Sequence, residues 1–446
     1  MAHIEPKLPG GFRDYLPEDM VPRQALIDTV RRVFERYGFA PLDTANVERT
    51  DVLTGGDPHF KKQIYGVASQ GGDENELSLR FDLTVPLARA VAANIIGIKR
   101  PFKRYECGKV WRGERPQAGR YREFLQCDAD IVGARSRIAD AEIIALMNAV
   151  MNELGISGFL IRVNNRKILN GLPEYAGFDT WKIEPVLRAL DKLDKLSWDE
   201  VAKELKSEKG AFLDDEAVGK IKHFVGVKKH SAKETLEEIE KLTKGIASAE
   251  QGVNELKEVT EYVARLGVPE TAWAIDPSVA RGLSYYTGTI FETVLTGLPN
   301  IGSVFSGGRY DNLVERFGGM SIPAVGASVG IDRLFAAMEQ LGLIKRKKTV
   351  TEVMALNIDE SCTRDLLEIV HELRTQNIRA ELYAGDERNL KAQLSYAVST
   401  EIPIVLIMGS PEREKKVVIV KDMEKRTQEE VKRKELAAKI RGLRAV

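Results

Sequence analysis

The most constraining feature of the sequence is a strict two-residue alternation over residues 124–131, FLQCDADI. Side chains of a β-strand point alternately to opposite faces, so every second residue here shares one face. These residues are Phe124, Gln126, Asp128 and Asp130. The intervening residues are apolar and are expected to pack inward. The polar face suits a cationic or amino-bearing ligand, or a metal, unless it is simply a strand face exposed to solvent.

A cluster of arginines precedes this strand. Residues 102–112 and 122–132 predict two strands, and the polar segment GERPQAGRY joins them. The arginines around this turn are Arg112, Arg115, Arg120 and Arg122. A guanidinium group suits phosphate oxygens, although such a cluster alone could be an exposed basic hairpin. Beside an acid-lined strand, it indicates a site that holds a polyphosphate next to an amine.

Three further glycine-containing segments carry polar groups: residues 279–292, 306–319 and 323–334. The paired glycines of SGGRYDNLVERFGG permit close backbone approach to a ligand, but the spacing is neither that of a P-loop nor GxGxxG. In PAVGASVGIDRL, a strand of small residues leads into a helix with Arg333 in its first turn. A cation there opposes the helix dipole, which points to an anionic ligand.

The remaining periodicity outlines the other elements. It predicts an amphipathic helix over residues 21–37, a strand over 77–82 and a helix capped by Thr84. Residues 182–261 have helical periodicity with 15 basic and 18 acidic residues, and they predict an inserted helical domain.

The C-terminal part follows a basic linker at residues 345–348. Strands then alternate with helices in the order β-α-β-α-β, which is typical of a small, largely parallel α/β unit. The tail from residue 411 to 446 has 12 basic and 7 acidic residues. This excess predicts either a phosphate-facing surface or a solvated terminal helix.

Composition excludes several classes of protein. The 446 residues include 66 basic and 66 acidic ones, and 43% are hydrophobic, which argues against a disordered chain. There is no apolar run long enough for a membrane span. Three distant cysteines argue against a disulfide framework and a structural zinc site, and they suit a reducing cytoplasm. The five histidines lie outside the motifs above, so histidine acid–base chemistry is not expected.

Taken together, these segments resemble class II aminoacyl-tRNA synthetases, and within that class the histidyl-tRNA synthetase family. Residues 21–48 around Pro41 resemble motif 1, VWRGE at 110–114 resembles motif 2, and GIDRL at 330–334 resembles motif 3. RGLSYY at 281–286 and SGGRYD at 306–311 are nearly diagnostic of the family. The N-terminal PGGFRDYLP resembles the start of its members.

The resemblance implies a mixed α/β (α+β) fold. It would contain an antiparallel-sheet class II catalytic core flanked by helices, a helical insertion domain and a C-terminal α/β anticodon-binding domain. The implied boundaries are 1–170 and 265–344 for the two parts of the core, 171–264 for the insertion and 350–446 for the C-terminal domain.

The resemblance also implies a reaction and its partners. L-Histidine and ATP would form histidyl-adenylate, and the histidyl group would then pass to the 3′ end of tRNA(His). Mg²⁺ would be bound mainly through ATP, without a metal site of the protein's own. A cytoplasmic homodimer, joined through motif 1 and without a membrane, is expected.

Site residues are implied by position. The catalytic residues would be Arg281 and Arg112. The ATP-binding residues would be Arg112, Glu114, Arg120, Phe124 and Arg333. The histidine-binding residues would be Asp82, Thr84, Gln126, Asp130, Arg281, Tyr285 and Tyr286, with Asp130 and Tyr286 at the imidazole. Many bacterial members have Glu at positions 82 and 130, and the resemblance assigns no role to Asp128.

Two other functions are weighed against this one. The first is a non-catalytic, synthetase-like regulatory paralog that binds histidine or tRNA. Such paralogs usually lose the catalytic arginine and the C-terminal domain, whereas this sequence has Arg281, Arg112 and Arg333 and a full C-terminal part. The second is a class II synthetase for proline, threonine or glycine, against which residues 281–286 and 306–311 argue.

Overall fold

The computed structural model of the chain describes residues 4–55, 63–68, 76–113, 121–280 and 285–444. These residues divide into two compact units. The first comprises the residues up to Arg13 and those from Leu26 to Ile344, and the second comprises Asp14–Ala25 and the residues from Lys345 onward. Among the described residues, no helix is both long and apolar enough to cross a membrane.

Within the described residues, the first unit is built on an eight-stranded sheet and a small three-stranded sheet. In chain order, the strands are β1 (Ala40–Pro41), β2 (Val47–Arg49), β3 (Gly66–Val67), β4 (Leu77–Leu79), β5 (Phe102–Trp111), β6 (Glu123–Val132), β7 (Phe159–Asn165), β8 (Trp273–Ile275), β9 (Thr289–Leu295), β10 (Phe305–Arg309) and β11 (Ala324–Gly330). The large sheet has the order β1-β5-β6-β11-β10-β9-β7-β8. Its central pairings are antiparallel and the pairings at both edges are parallel, which confirms the antiparallel-rich core.

The two long strands β5 and β6 confirm the strands predicted at 102–112 and 122–132. They pair antiparallel, with Glu106 opposite Asp128 and Arg104 opposite Asp130. On its other side β6 pairs with β11, where Ser328 lies opposite Asp128. The polar face of β6 therefore lies in the middle of the sheet, flanked on both sides by neighbouring strands.

Helices cover this sheet and bury its apolar side. Pro17–Arg36 confirms the predicted N-terminal helix, and it buries Val30 and Phe34 in the main core. Ile138–Glu153 places its apolar residues in the same core. The remaining helices outside the insertion are Thr50–Thr54, Thr84–Ala93, Glu315–Gly318 and Ile331–Gln340.

The cap predicted for the helix Thr84–Ala93 is wrong. The N-cap position is Leu83, which makes no side-chain cap. The Asp82 carboxylate accepts the backbone N–H of Val85 at 3.0 Å instead. An acidic group thus lies at the positive end of this helix, where the exposed N–H groups favour negative charge.

The helical character predicted for residues 182–261 is confirmed. A series of helices connects β7 to β8, two strands that pair in parallel. Several of them begin at side-chain caps, including a capping box formed by Ser197 and Glu200. The helices are Arg166–Asn170, Leu172–Ala176, Ile183–Leu190, Trp198–Lys206, Asp215–Val225, Ala232–Leu242 and Ala247–Arg265.

The second unit contains a mixed five-stranded sheet in the part of the chain that the structure describes. Its strands are β12 (Val353–Ala355), β13 (Ala380–Leu382), β14 (Ile404–Ile407), β15 (Val417–Asp422) and β16 (Thr427–Lys432), and its helices are Thr363–Thr375, Leu390–Ser399, Ser410–Lys415 and Leu436–Arg444. Strands β13, β12 and β14 are parallel, as predicted, whereas β15 and β16 add an antiparallel hairpin. The basic tail thus forms a hairpin and a terminal helix, and some of its cations form ion pairs, such as Arg433 with Glu372.

The sequence argument against disulfides is wrong for one pair of cysteines. Cys107 of β5 and Cys127 of β6 are register partners, with their Cα atoms 4.1 Å apart, and they form a disulfide bond. Cys362 is free and buried. The pairing depends on the register of two strands, which the cysteine spacing of twenty residues does not show.

A buried ion pair ties β10 to the helix Ile138–Glu153. Arg309, 1% exposed, donates from Nε to Asp140 at 3.1 Å and from Nη1 to the Ala134 carbonyl at 2.9 Å. Removing one partner leaves the other charge buried and uncompensated. We therefore expect Arg309→Ala to lower the free energy of unfolding by about 3–5 kcal/mol, measured by urea denaturation.

The matched control for this variant is Arg36→Ala, which removes the exposed ion pair with Glu153. It should cost less than about 1 kcal/mol, because exposed pairs contribute little. Equal losses in the two variants would contradict a structural role for Arg309.

Candidate active site

A cavity of about 720 Å³ lies over the polar face of the large sheet. From β6 it is lined by Phe124, Gln126 and Asp128, and from β11 by Ser328. This volume is within the range of pockets that hold small molecules. The alternative that the polar face of β6 is simply exposed to solvent is therefore wrong.

The floor of the cavity is acidic. Asp82 and Asp128 both line it, and each residue is only 3% exposed. Burial raises the pKa of Asp82 to about 6. Tyr285 donates its hydroxyl to Asp82 at 3.5 Å. The pKa stays raised although the nearby charge of Arg112 lowers it, so this buried carboxylate favours a further positively charged group from a ligand.

Gln126 adds an acceptor beside these acids. Its Nε2 donates to the Ser328 hydroxyl at 2.8 Å, which fixes the orientation of the amide. Its Oε1 is buried and has no hydrogen-bond partner among the described residues. Thr84 lines the same part of the cavity. This end therefore offers several oxygens to a ligand that donates hydrogen bonds.

The other end of the cavity is basic. Arg112 donates from Nε to the Phe81 carbonyl at 3.1 Å, and its guanidinium lies 5.1 Å from the centre of the Phe124 ring. Arg333 donates from Nη1 to the Ser303 carbonyl at 2.6 Å. These contacts hold both guanidinium groups at the cavity wall, where their positive charge favours an anionic ligand.

The helical insertion supplies further cations that the sequence analysis missed. Arg188, Lys192 and Lys209 line the cavity. Lys192 also contacts Glu204, another lining residue. The sequence does not distinguish these three cations from the other charges of residues 182–261, most of which are ordinary helix-surface charges.

The aromatic wall comes from Tyr285 and Tyr286. Their ring centres lie 5.1 Å apart in an edge-to-face arrangement, and Tyr310 makes a second edge-to-face contact with Tyr285 at 5.9 Å. Burial raises the pKa of Tyr286 above its ordinary value, so this hydroxyl stays protonated and can donate. Tyr285 and Tyr286 line the cavity, whereas Tyr310 does not.

Asp130 is buried next to the cavity, and its charge acts on the lining residue Tyr286. It is not among the residues that line the cavity. Its Oδ2 lies 2.9 Å from Arg104 Nη2, and its Oδ1 accepts the Tyr310 hydroxyl at 2.5 Å. A Cβ at Gly326 would overlap Asp130 Oδ1, so Asp130 is packed against the neighbouring strand. Its Oδ2 is close to the charge of Arg104 but has no hydrogen-bond partner among the described residues.

Most of the predicted site residues therefore lie around one cavity. The residues that line the cavity are Asp82, Thr84, Arg112, Phe124, Gln126, Tyr285, Tyr286 and Arg333. Asp130 lies behind the wall. Glu114, Arg120 and Arg281 are outside the described residues.

A layer of buried charge beneath the floor was not found from the sequence. Arg80 donates to Glu106 at 2.7 Å, and Arg104 lies 3.5 Å from the same carboxylate. The alternation of Arg104 and Glu106 along β5 is a signal of this layer. It becomes readable only once β5 and β6 are paired in register, because the partners are far apart in sequence.

In the described part of the chain, no group of three or more His, Cys, Asp or Glu residues could hold a metal. The donors at the basic end are arginines, which bind phosphate rather than a cation.

Asp128 makes the stability of the ligand-free protein depend on pH. Burial and then the charge of Asp130 raise the pKa of Asp128 to about 8. In the unfolded chain this carboxyl ionises above about pH 4, so its contribution to stability is complete below that pH and is lost as the pH rises towards 8. We expect Asp128→Asn to become more stable than the unaltered chain between pH 5 and pH 8, by about 1–3 kcal/mol.

Urea denaturation at pH 5 and at pH 8 measures this difference without a ligand. Titrating groups that do not interact with Asp128 are shared by the two proteins, so they cancel in the comparison. A stability difference that stays constant with pH would contradict the raised pKa.

Known protein families and relatives match most of the chain, including the residues that line the cavity. The family model described as histidyl-tRNA synthetase matches residues 11–334, and the model described as an anticodon binding domain matches residues 352–443. A histidine–tRNA ligase of Rhodopirellula baltica is 41% identical over 430 residues, covering 96% of each chain. A histidine–tRNA ligase of Clostridium tetani has the same identity and coverage.

Solved structures agree with the sequence relatives. The crystal structure of histidyl-tRNA synthetase from Nostoc sp. matches with a TM-score of 0.87 and 33% identity, covering 98% of this chain and 99% of that one. A structure titled as an ATP phosphoribosyltransferase regulatory subunit/histidyl-tRNA synthetase from Bacillus halodurans matches with a TM-score of 0.75. At 21% identity, that second likeness shows a shared fold alone.

Proposed function

The chain belongs to the histidyl-tRNA synthetase family, and on that basis we propose that it joins L-histidine to tRNA(His) at the expense of ATP. The observation that carries this proposal is the cavity, which joins an acidic floor to an arginine-lined end. A substrate with an ammonium group and a substrate with phosphates can lie side by side there.

The acidic floor holds the amino acid. The α-ammonium group of histidine donates to Asp82, to the Oε1 of Gln126 and to Thr84, which are the oxygens at this end of the cavity. Charge-assisted hydrogen bonds to a buried carboxylate are short and strong. They orient the histidine carboxylate away from the floor, towards the basic end.

The basic end holds ATP. Arg112 and Arg333 contact its phosphates, and the Phe124 ring offers a face on which adenine stacks. Glu114 and Arg120 have the ATP-binding roles that the family resemblance implies. Mg²⁺ enters bound to the phosphates and lowers their negative charge when it is present.

Two steps follow. A carboxylate oxygen of histidine attacks the α-phosphorus of ATP, and the bond to the bridging oxygen breaks, giving histidyl-adenylate and pyrophosphate. The ribose 3′-hydroxyl of the terminal tRNA nucleotide then attacks the histidyl carbonyl, loses its proton and displaces AMP.

The first step depends on charge stabilisation rather than on a strong base, because the attacking carboxylate is already anionic. Preorganised guanidinium groups stabilise the charge that develops on the phosphoryl oxygens. The contacts of Arg112 with the Phe81 carbonyl and the Phe124 ring fix the orientation of its guanidinium group. Arg281 has the catalytic role implied by the family.

The tRNA contacts extend to the C-terminal unit, which matches the anticodon-binding family. Much of the affinity comes from phosphate contacts, so binding weakens with rising salt. The working form is a cytoplasmic homodimer joined through residues 21–48, and light scattering of the purified protein tests this assembly.

The charging reaction is tested with radiolabelled histidine and a tRNA(His) transcript. We expect acid-precipitable histidine to accumulate with tRNA(His) and not with a transcript for another amino acid. Adenylate formation without any transfer to tRNA(His) would contradict the second step.

A further inference from the structure

We propose that Arg13 is a positioning residue for ATP, which holds the side chain of Tyr121 at the wall of the cavity. This inference rests on the proposed function and deepens it, because it gives the N-terminal segment, residues 9–13, a part in binding the nucleotide. These residues begin the PGGFRDYLP motif, which supported the family resemblance but has no role in the proposed mechanism.

The N-terminal segment reaches the site through a tight turn. The N–H of Phe12 donates to the carbonyl of Pro9 at 3.2 Å, and Gly11 has a φ of 88°. A positive φ at this position of a turn favours glycine. The carbonyl of Gly11 accepts the backbone N–H of Arg122 at 2.9 Å. The N-terminal segment is therefore hydrogen-bonded to the residue that follows Tyr121.

Arg13 contacts Tyr121 directly. Its Nη1 donates to the Tyr121 hydroxyl at 2.8 Å, and its guanidinium carbon lies 5.2 Å from the centre of the Tyr121 ring. Both residues are half-buried, and Tyr121 lines the cavity whereas Arg13 does not. A hydrogen bond at the hydroxyl together with a contact at the ring fixes the direction of the tyrosine side chain. Arg13 therefore acts on the cavity through Tyr121.

Tyr121 lies at the basic end of the cavity. The carbonyl of the next residue, Arg122, accepts the backbone N–H of Arg112 at 2.8 Å. Arg112 and Phe124 line this end, where the proposed complex holds ATP. A hydroxyl can accept one hydrogen bond and donate another. In the proposed complex Tyr121 accepts from Arg13 and donates to a phosphate oxygen of ATP, which is a charge-assisted hydrogen bond.

The N-terminal segment is also linked to the other end of the connection between β5 and β6. Phe12 packs edge-to-face against Tyr65, with the ring centres 6.0 Å apart. Two residues before Tyr65, the carbonyl of Gln63 accepts the N–H of Gly113 at 2.7 Å. Gly113 directly precedes residues 114–120, which complete the connection. The N-terminal segment thus supports the residues on both sides of this connection.

Isothermal titration calorimetry with ATP and Mg²⁺ tests the proposal through a double-mutant cycle of Arg13→Met and Tyr121→Phe. We expect Tyr121→Phe to raise the Kd for ATP by about 10-fold, since a hydrogen bond to a charged group is lost. Arg13→Met should raise it by about 3- to 10-fold, because the hydroxyl is no longer held towards the phosphate. The double variant should be within about 2-fold of Tyr121→Phe, because Arg13 acts through the hydroxyl.

Titrations of the same variants with histidine distinguish positioning from a general loss of structure. Partial unfolding would raise the Kd values of both ligands by the same factor, whereas we expect the Kd for histidine to stay within about 2-fold of the unaltered protein. Lys7→Ala is the matched control, which removes a nearby cation that pairs with Glu5 at 2.6 Å. It should leave both Kd values unchanged.

Three results would overturn the proposal. One is a weakening of ATP binding by Arg13→Met that is the same with and without the Tyr121 hydroxyl, as a long-range effect of the Arg13 charge would produce. The others are an unchanged Kd for ATP in Arg13→Met and an equal rise in the Kd for histidine.

The titrations measure binding without chemistry, so they separate this inference from the proposed function. An unaltered protein that shows the expected cycle for ATP but catalyses no ATP–pyrophosphate exchange with histidine would contradict the proposed function and leave the role of Arg13 supported. A protein that does not bind ATP would contradict both.

Discussion

Replacing Arg112 with alanine should lower kcat/KM for adenylate formation by about 10²–10³-fold, the typical cost of removing one preorganised donor from a developing oxyanion. Arg112 lines the basic end of the cavity and is oriented by the Phe81 carbonyl. The interaction strengthens as charge develops in the transition state, so most of the loss should be in kcat. ATP–pyrophosphate exchange at saturating histidine measures it.

Two companion variants make this result specific. Arg112→Lys keeps the charge without the planar fork, and it should recover only part of the activity. Arg135→Ala removes an exposed arginine of the same unit and should leave exchange within about 2-fold of the unaltered protein. A rate for Arg112→Ala close to that of Arg135→Ala would remove Arg112 from the proposed mechanism.

Replacing Asp82 with asparagine should raise the KM for histidine by about 10- to 100-fold, because a charged hydrogen bond to the α-ammonium group is lost. The KM for ATP should change by less than about 3-fold, since in the proposed complex Asp82 contacts the α-ammonium group and Arg112 and Arg333 contact the phosphates. Asparagine keeps an oxygen that can accept the Val85 N–H, so the helix Thr84–Ala93 stays capped. Exchange rates over a matrix of histidine and ATP concentrations separate the two values.

Asp179→Asn, which removes an exposed carboxylate of the same unit, is the control for charge alone. It should leave both KM values unchanged. A parallel rise in the KM values of histidine and ATP for Asp82→Asn would argue that the variant disturbs the cavity as a whole rather than the amino-acid subsite.

Local patterns in the sequence predicted the elements that depend on neighbouring residues. Alternation in FLQCDADI assigned Gln126 and Asp128 to one face of β6, and both line the cavity. Helical periodicity likewise predicted the helix Pro17–Arg36. Both succeed because burial of one face imposes a repeat that is visible within ten to twenty residues.

The register in which β5 and β6 pair could not be predicted from the sequence. Cys107 and Cys127 form a disulfide because β5 and β6 pair with these residues opposite each other. The same pairing places Arg104 beside Asp130. The Asp130 carboxylate lies next to this arginine and does not line the cavity. Alternation assigns a residue to a face, but it cannot show which residue of the next strand lies beside it.

Helix caps and long-range charge illustrate the same limit. Thr84 has the residue type of a cap, yet it is the first residue of the helix, the N-cap position is Leu83, and Asp82 accepts the helix N–H. The insertion contributes Lys192 and Lys209 to the cavity although they lie far from β6 in sequence. Only the folded arrangement distinguishes these cations from the surface charges around them.

The most direct test of the central claim is ATP–pyrophosphate exchange with each of the twenty amino acids in turn, with Mg²⁺ and without tRNA. We expect exchange with histidine alone. In the proposed complex the arginine-lined end binds ATP, and the part of the cavity with the acidic floor binds an amino acid whose side chain is an imidazole. Exchange with a different amino acid, or none from folded protein that binds histidine, would contradict the claim that this cavity activates histidine.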